Sequence, residues 1–320
     1  MLIVVAVTIA LLCALMLATL IGCRLISGRH PPRGRFVDTA SGRLHVLDLD
    51  PLDPAGAERT PLVLLHGAGA NLEDLRLALG ERLRRRFRVI LVDRPGSGWS
   101  DRTEQYASPT QQAAVLREAL ARMGIERAIL VGHSWGGALA AAYALAFPRH
   151  VAGLALLAPV THPWEDRRVD HYSLATIPAF GLALAYTLVI PVGALILNRM
   201  VTSIFSPSPV PAGFISRAAI PLALRPGNFL VNAHNIAALT TCLADTAPRY
   251  REIAVPTVVI TGDRDRVLPP SWHSHAIAKA VPGAKLIVLK NTGHMPHHAA
   301  PERIVAAIEE IADVVDNQQR

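Results

Sequence analysis

Cysteine is scarce in this chain. Three occur in 320 residues. Cys13 and Cys23 stand in the N-terminal stretch, which leaves Cys242 alone in the body. That excludes a disulfide framework or a metal-type cysteine pair within the body. Lysine is equally scarce: Lys279, Lys285 and Lys290 are the whole set, so arginine carries nearly all of the net charge of +7. The densest basic run, Arg82-Leu83-Arg84-Arg85-Arg86-Phe87-Arg88, lacks the aromatic interleaving or the motif of a nucleic-acid surface. It reads as a solvated helix end running into a strand, and anionic lipid suits it better than nucleic acid. No internal repeat is present.

Apolar residues, by contrast, make up 51% of the chain, which suggests membrane contact. Leu2 to Ile21 is uncharged and built of Leu, Ile, Val and Ala, about the ~20 residues a helix needs to cross a bilayer. A cleaved signal peptide is the main rival, but no basic region precedes the run. Leu20-Ile21-Gly22-Cys23 also resembles a lipoprotein cleavage box, which would put a lipid on Cys23. Arg24, Arg29, Arg33 and Arg35 follow the span, and positive flanks favour the cytosol. The expectation is a single-pass anchor over 1–23 with the body on the cytosolic face, and a short linker over 24–34 marked by Pro31 and Pro32.

Beyond the linker, strand and helix signals alternate. Arg43–Leu47, Pro61–His66, Phe87–Asp93, Ala128–Val131, Val151–Leu157, Thr257–Thr261 and Lys285–Leu289 read as strands. Asn71–Arg86, Pro109–Met123 and Pro301–Val315 read as helices. Buried runs alternating with helices predict an α/β fold with a mostly parallel, doubly wound sheet, occupying 35–161 and 249–320. Between them, 162–248 shows no clear βα unit. Tyr172 to Asn198 is uncharged and apolar, broken by Pro178, Gly181, Pro191 and Gly193. One membrane crossing there would put early and late strands of the sheet on opposite sides of the bilayer. The run is too short for two crossings. An inserted helical lid is the better reading, covering an apolar pocket or touching lipid.

The chemistry centres on Val131-Gly132-His133-Ser134-Trp135-Gly136-Gly137, with a strand before it and the helix-forming Ala138–Leu145 after it. A serine between two glycines at a strand-to-helix corner is the nucleophile elbow, and Gly132 and Gly136 stand where a Cβ would collide. A serine hydroxyl needs a base, and the base needs an orienting acid. Where serine occupies such an elbow, the acid and then the histidine follow in the chain. Val255–Gly262 ends in two acids, Asp263 and Asp265, and the strand Lys285–Leu289 leads through Asn291-Thr292-Gly293 to His294. One helix between those strands makes them neighbours. An oxyanion hole needs two backbone N–H groups. Ala68, in the turn Leu65-His66-Gly67-Ala68-Gly69-Ala70, and Trp135 are the candidates, with Gly67 and Gly69 allowing close approach.

These features together resemble the α/β-hydrolase-fold serine hydrolases, in particular the capped esterase, lactonase, epoxide-hydrolase and dehalogenase-like group. The motifs are Gly67-Ala68-Gly69, Asp93-Arg94-Pro95-Gly96-Ser97-Gly98-Trp99-Ser100, the Ser134 elbow, Gly262-Asp263-Arg264-Asp265 and Gly293-His294. The resemblance covers the chain from about Arg35 to the last helix. It implies that Asp265, the second acid of its turn, is the triad acid, that Asp263 caps the turn and that Asp93 is structural. Epoxide hydrolases and haloalkane dehalogenases carry Asp at the elbow, so Ser134 disfavours both activities.

Other candidates read as structural. His133 packs beside the elbow, and His66 supports the oxyanion loop. His297 and His298 read as a surface turn, because no carboxylate accompanies them to complete a metal site. The Trp135 indole is expected to line the pocket. The sequence thus predicts a serine esterase acting through Ser134, His294 and Asp265 on a small hydrophobic ester, lipid-like esters included, with no cofactor or metal. Its membrane contacts would run through the N-terminal helix, with the lid as a second candidate. The rivals are perhydrolase, haloperoxidase or C–C hydrolase chemistry on the same fold, and a non-catalytic membrane-tethered scaffold.

Overall fold

The computed structural model describes residues 1–102, 107–164 and 174–319. Its eight strands are β1 (Arg35–Thr39), β2 (Gly42–Leu49), β3 (Leu62–Leu65), β4 (Val89–Val92), β5 (Ala128–His133), β6 (Val151–Leu157), β7 (Thr257–Gly262) and β8 (Lys285–Leu289), in the spatial order β1-β2-β4-β3-β5-β6-β7-β8. β1 and β2 pair antiparallel, as do β2 and β4, and every pairing from β4 to β8 is parallel. The helices used below are α1 (Leu2–Arg29), α2 (Leu72–Leu75), α3 (Pro109–Arg122), α4 (Trp135–Ala146), α5 (Pro178–Thr187), α6 (Val189–Phe205), α7 (Phe214–Arg217), α8 (Pro226–Ala237), α9 (Leu239–Thr246), α10 (Ser274–Ala280), α11 (Pro296–Ala299) and α12 (Pro301–Gln319).

Successive residues of a strand face opposite sides of the sheet, and here that alternation sorts the apolar residues into two cores. Leu62, Leu64, Ile129 and Val131 pack with Ile308 and Ile311 of α12. Val63, Leu65 and Leu130 pack with Leu116 of α3 and Leu139 of α4. Because both faces are covered, β3 to β7 are buried at every position and read as near-continuous apolar runs, the signature of buried parallel sheet.

The insertion between β6 and β7 carries α5 to α9, so the expected helical lid is present. The opening of its apolar run, Tyr172 and Ser173, lies outside the described residues. α5 and α6 meet at a 71° bend. α1 is 28 residues long, and its most apolar 18-residue window has mean hydropathy 2.8 and is 6% buried, a length and composition suited to crossing a bilayer.

Two sequence expectations change. The single helix over Asn71–Arg86 is broken: α2 passes into a wide π-type turn over Arg76–Gly80 and a last turn over Glu81–Leu83. β1 was not expected, because as an edge strand it buries only Val37 fully and shows no apolar run. The arginine run is the solvated helix end running into a strand that the sequence reads: Arg85 and Arg86 are exposed, and surface ion pairs tie the run to the body. Arg82 pairs with Glu302, Arg84 with Glu81, Arg86 with Glu309 and Arg88 with Asp48.

Asp93 has the structural role the resemblance implied. Its Oδ1 accepts from Leu72 N at 2.7 Å, and its Oδ2 accepts from Trp99 N at 2.9 Å and meets His45 Nδ1 at 2.7 Å. Gly98, at φ +52°, lies against this carboxylate where a Cβ would collide. Asp93→Ala leaves two buried polar groups, Leu72 N and His45 Nδ1, and the part-buried Trp99 N without this partner, each a desolvation cost. We expect a destabilisation of about 3–5 kcal/mol, read as a lower urea midpoint at unchanged m-value.

Candidate active site

Ser134 ends β5 and opens α4 with φ 53° and ψ −116°, a conformation L-residues adopt only when the surroundings impose it. Here backbone bonds impose it. Ser134 N donates to Leu157 O at 2.9 Å, and Ser134 O accepts from Gly137 N at 2.9 Å and Val160 N at 3.1 Å. A Cβ on Gly132 would strike the Gly136 carbonyl, and one on Gly136 would strike the carbonyl of Leu65. The glycines therefore let strand and helix cross at contact distance, and Ser134 is half-exposed at the tip.

β7 and β8 are neighbours, so the loops that follow them meet. Asp263 N donates to Leu289 O at 3.0 Å, Arg264 N to Thr292 O at 2.9 Å, and Thr292 N to Asp263 Oδ1 at 3.2 Å. Asp263 thus ties the two loops together and is itself exposed. Asp265 turns inward. Its Oδ2 lies 2.7 Å from His294 Nδ1, and its Oδ1 accepts from Val267 N at 2.8 Å and Leu268 N at 2.9 Å. Both side chains are buried. The loop holding His294 leans on the elbow: the His133 Nε2–H donates to the His294 carbonyl at 2.9 Å, and the two rings lie 5.0 Å apart. Burial, with His297 and His294 adding to it, pushes the His133 imidazole well below its ordinary range. It is therefore a neutral donor.

The loop after β3 is fixed from beneath by a residue that the sequence reading passed over. Arg94 is fully buried and donates from Nε to His66 O and from a terminal nitrogen to Gly67 O, both at 3.1 Å. His66 accepts from Arg94 N at its Nε2 and donates from Nδ1 to Gly67 O at 2.8 Å. Burial, reinforced by Arg94, pushes His66 down to about 4, and burial brings Arg94 down to about 9. At neutral pH a charged guanidinium thus faces a neutral imidazole. In a trans peptide the C=O and the next N–H point in opposite directions. Drawing the Gly67 carbonyl toward Arg94 therefore turns the Ala68 N–H away from it. Gly67 abuts the elbow so closely that an added Cβ would stand 3.2 Å from Ser134 Cβ. From the lid, Asn232 Oδ1 accepts from Gly69 N at 2.8 Å.

Two side-chain readings are corrected. The Trp135 indole is not among the residues lining the cavity next to it: it is buried, donates to Asn235 O at 3.1 Å and stacks 4.0 Å beneath the Arg94 guanidinium. His297 and His298 are not a surface turn. His297 is fully buried, and Asp74 of α2, far away in sequence, supplies the missing carboxylate, with its oxygens 3.3 Å from His297 Nε2 and 2.7 Å from His298 Nε2. Burial works to raise the Asp74 carboxyl, but the two imidazoles outweigh it and hold the group well below the usual carboxylate range. Asp74, His133 and His297 each place a ligand atom within 4.8 Å of the others, a donor set of metal-binding type. Hydrogen bonds to the two imidazoles already engage both Asp74 oxygens, and the cluster ties α2 to the histidine loop.

The α/β hydrolase fold model matches residues 60–301. The chain belongs to the α/β-hydrolase fold family. The 2-hydroxy-6-oxononadienedioate/2-hydroxy-6-oxononatrienedioate hydrolase of Cupriavidus pinatubonensis is 30% identical over 276 residues, 81% of this chain and 88% of that one. A thermophilic esterase from Thermogutta terrifontis superposes with a TM-score of 0.69 at 22% identity, covering 88% of this chain and 99% of its own. A membrane phospholipase A gives a TM-score of 0.65 at 23% identity and covers 99% of this chain and 97% of its own. The two structural likenesses concern the fold. The family match and the curated hydrolase relative make this α/β-hydrolase-fold chain a hydrolase.

Proposed function

We propose that this hydrolase is a membrane-anchored serine esterase for hydrophobic carboxylic esters. One observation carries the reading: Asp265 holds the Nδ1 of His294, in a loop bonded to the neighbour of a strained, half-exposed Ser134. In this account His294 Nε2 takes the Ser134 proton as Oγ attacks the ester carbonyl. The amides of Ala68 and Trp135 stabilise the tetrahedral oxyanion, which collapses to an acyl-serine and an alcohol that carries the proton away. Water, deprotonated by the same imidazole, releases the acid. No metal or cofactor enters these steps. α1 holds the single-pass anchor, and Arg24 and Arg29 at its end with Arg33 and Arg35 beyond it put the body on the cytosolic face.

A cavity of about 390 Å³ beside α5 and α8 is lined in part by Ala175, Pro178, Leu182, Leu230 and Val231. Its size is that of a small-ligand site; the apolar side chains named suit an acyl chain, while Arg102, His234 and Asn235 complete the lining with polar groups. Turnover of p-nitrophenyl esters should therefore rise in kcat/KM by roughly tenfold or more from acetate to octanoate, at about 0.8 kcal/mol per buried methylene. A preference for acetate would contradict the assignment. The Cupriavidus relative favours a second reading, since its substrate name describes an unsaturated hydroxy-oxo-dicarboxylate. Hydrolysis of a C–C bond in such a compound, with no turnover of esters, would select it.

A further inference from the structure

From Leu15 onward, one face of α1 turns toward protein. Leu15, Gly22, Cys23, Ile26 and Ser27 are partly covered and Thr19 is fully buried, a stripe at helical spacing. Between Leu15 and Ile26 the stripe is made of small residues, and it packs on α5 and α6 of the lid. A Cβ on Gly22 would come within 2.7 Å of Ile190 Cγ2. At the foot of α1, Trp99 Nε1 donates to His30 O at 2.9 Å, fixing the helix to the hydrolase body.

These contacts set a depth. A helix rises about 1.5 Å per residue, and the hydrocarbon core is about 30 Å thick. Counted back from Arg24, the first charged residue after the apolar run, the body-side boundary falls near Gly22, and Arg29 lies about 8 Å beyond Arg24, past the headgroup edge. The docked stripe therefore begins about 10 Å inside the hydrocarbon, and α5 and α6, which pack on it, share that depth. Their outer surface fits such a place. No charged residue occurs from Leu174 to Asn198, while Phe180, Leu188, Val192, Ile196 and Met200 are exposed and Leu195 is 84% exposed. Helices of 10 and 17 residues meeting at 71° form a shallow wedge rather than a crossing, at the depth typical of interfacial helices.

The cavity lies behind that wedge. Leu182 of α5 lines it and is also 48% exposed, so α5 is the wall between the cavity and the lipid. Asn235, which also lines the cavity, accepts the indole hydrogen bond of Trp135, next to the elbow. We propose that α5 and α6 are immersed in the leaflet on the body side of α1, and that the substrate is an acyl ester dissolved in that leaflet, entering sideways past α5. The substrate part rests on the esterase reading; the immersion does not.

The test uses the full chain in phosphatidylcholine vesicles. In Leu195→Trp, vesicle lipids brominated on their acyl chains should quench at least half of the emission added over the parent protein. No quenching of the added emission overturns the immersion, whatever the enzyme does. Phe180→Glu combined with Leu195→Glu should lower hydrolysis of a long-chain ester held in the vesicles tenfold or more, with hydrolysis of a soluble short-chain ester within about twofold of the parent. Full activity on the vesicle ester overturns lateral entry. A shift of the detergent-solubilised double variant from dimer to monomer, with Leu195→Trp unquenched, assigns the face to a second copy of the chain and overturns the proposal. Quenching without hydrolysis of either ester leaves the immersion standing and removes the esterase reading instead.

Discussion

Ser134→Ala should lower kcat on any ester the protein turns over by about 10⁶, leaving only what oxyanion stabilisation and binding supply without a nucleophile. The loss falls on chemistry rather than folding. The backbone bonds that bend residue 134 come from Leu157, Gly137 and Val160, and none uses the hydroxyl. The same chain holds Ala158 at φ 41°, so alanine has a precedent in this region of backbone space. Near-UV circular dichroism, which reports the buried Trp135 indole, should match the parent. Activity falling less than about a hundredfold with the fold intact would mean that another group attacks the carbonyl.

Asp265→Asn should lower kcat by about 10⁴, and the geometry says why. Val267 N and Leu268 N both donate to Oδ1, so an asparagine must keep its carbonyl oxygen there and turn its NH2 toward His294 Nδ1. That nitrogen then has to accept, the ring proton moves to Nε2, and the imidazole can no longer take a proton from serine. Asp263→Asn makes the internal control. Its exposed carboxylate serves Thr292 N at 3.2 Å, a bond the amide oxygen of asparagine can replace. Its effect should stay within about tenfold, the equivalent of one modest hydrogen bond. A larger loss at Asp263 than at Asp265 would reverse the assignment of the acid.

What the sequence reveals, and what it conceals, follows from where each contact comes from. The strands from β3 to β7 are legible because burial on both faces leaves apolar runs, and β8, an edge strand that buries only Ile287 fully, because Leu286 to Leu289 is still apolar. The elbow is legible because the collisions at Gly132 and Gly136 permit only glycine. The pairing of Asp265 with His294 is legible because one helix between two strands places their ends side by side. β1 carries Arg35 and Asp38 on a sheet edge and gives no apolar signal. The π-type turn after α2 leaves the apolar spacing of Leu72, Leu75, Leu79 and Leu83 unchanged, so periodicity does not reveal it. Asp74 stands 223 residues from His297, and pairwise spacing cannot announce such a partner. Arg94 looks like part of a turn motif until its guanidinium is seen between the Gly67 carbonyl and the Trp135 ring. The small-residue face of α1 acquires meaning only from the lid helices packed on it.

The most direct test of the account is to treat the full chain in detergent with a fluorophosphonate, measure its intact mass and map the adduct. The account predicts one adduct per chain, on the peptide containing Ser134, absent from Ser134→Ala and slowed by Asp265→Asn. An unmodified Ser134 in a protein that still hydrolyses esters, or an adduct on another residue that tracks the loss of activity, would contradict it.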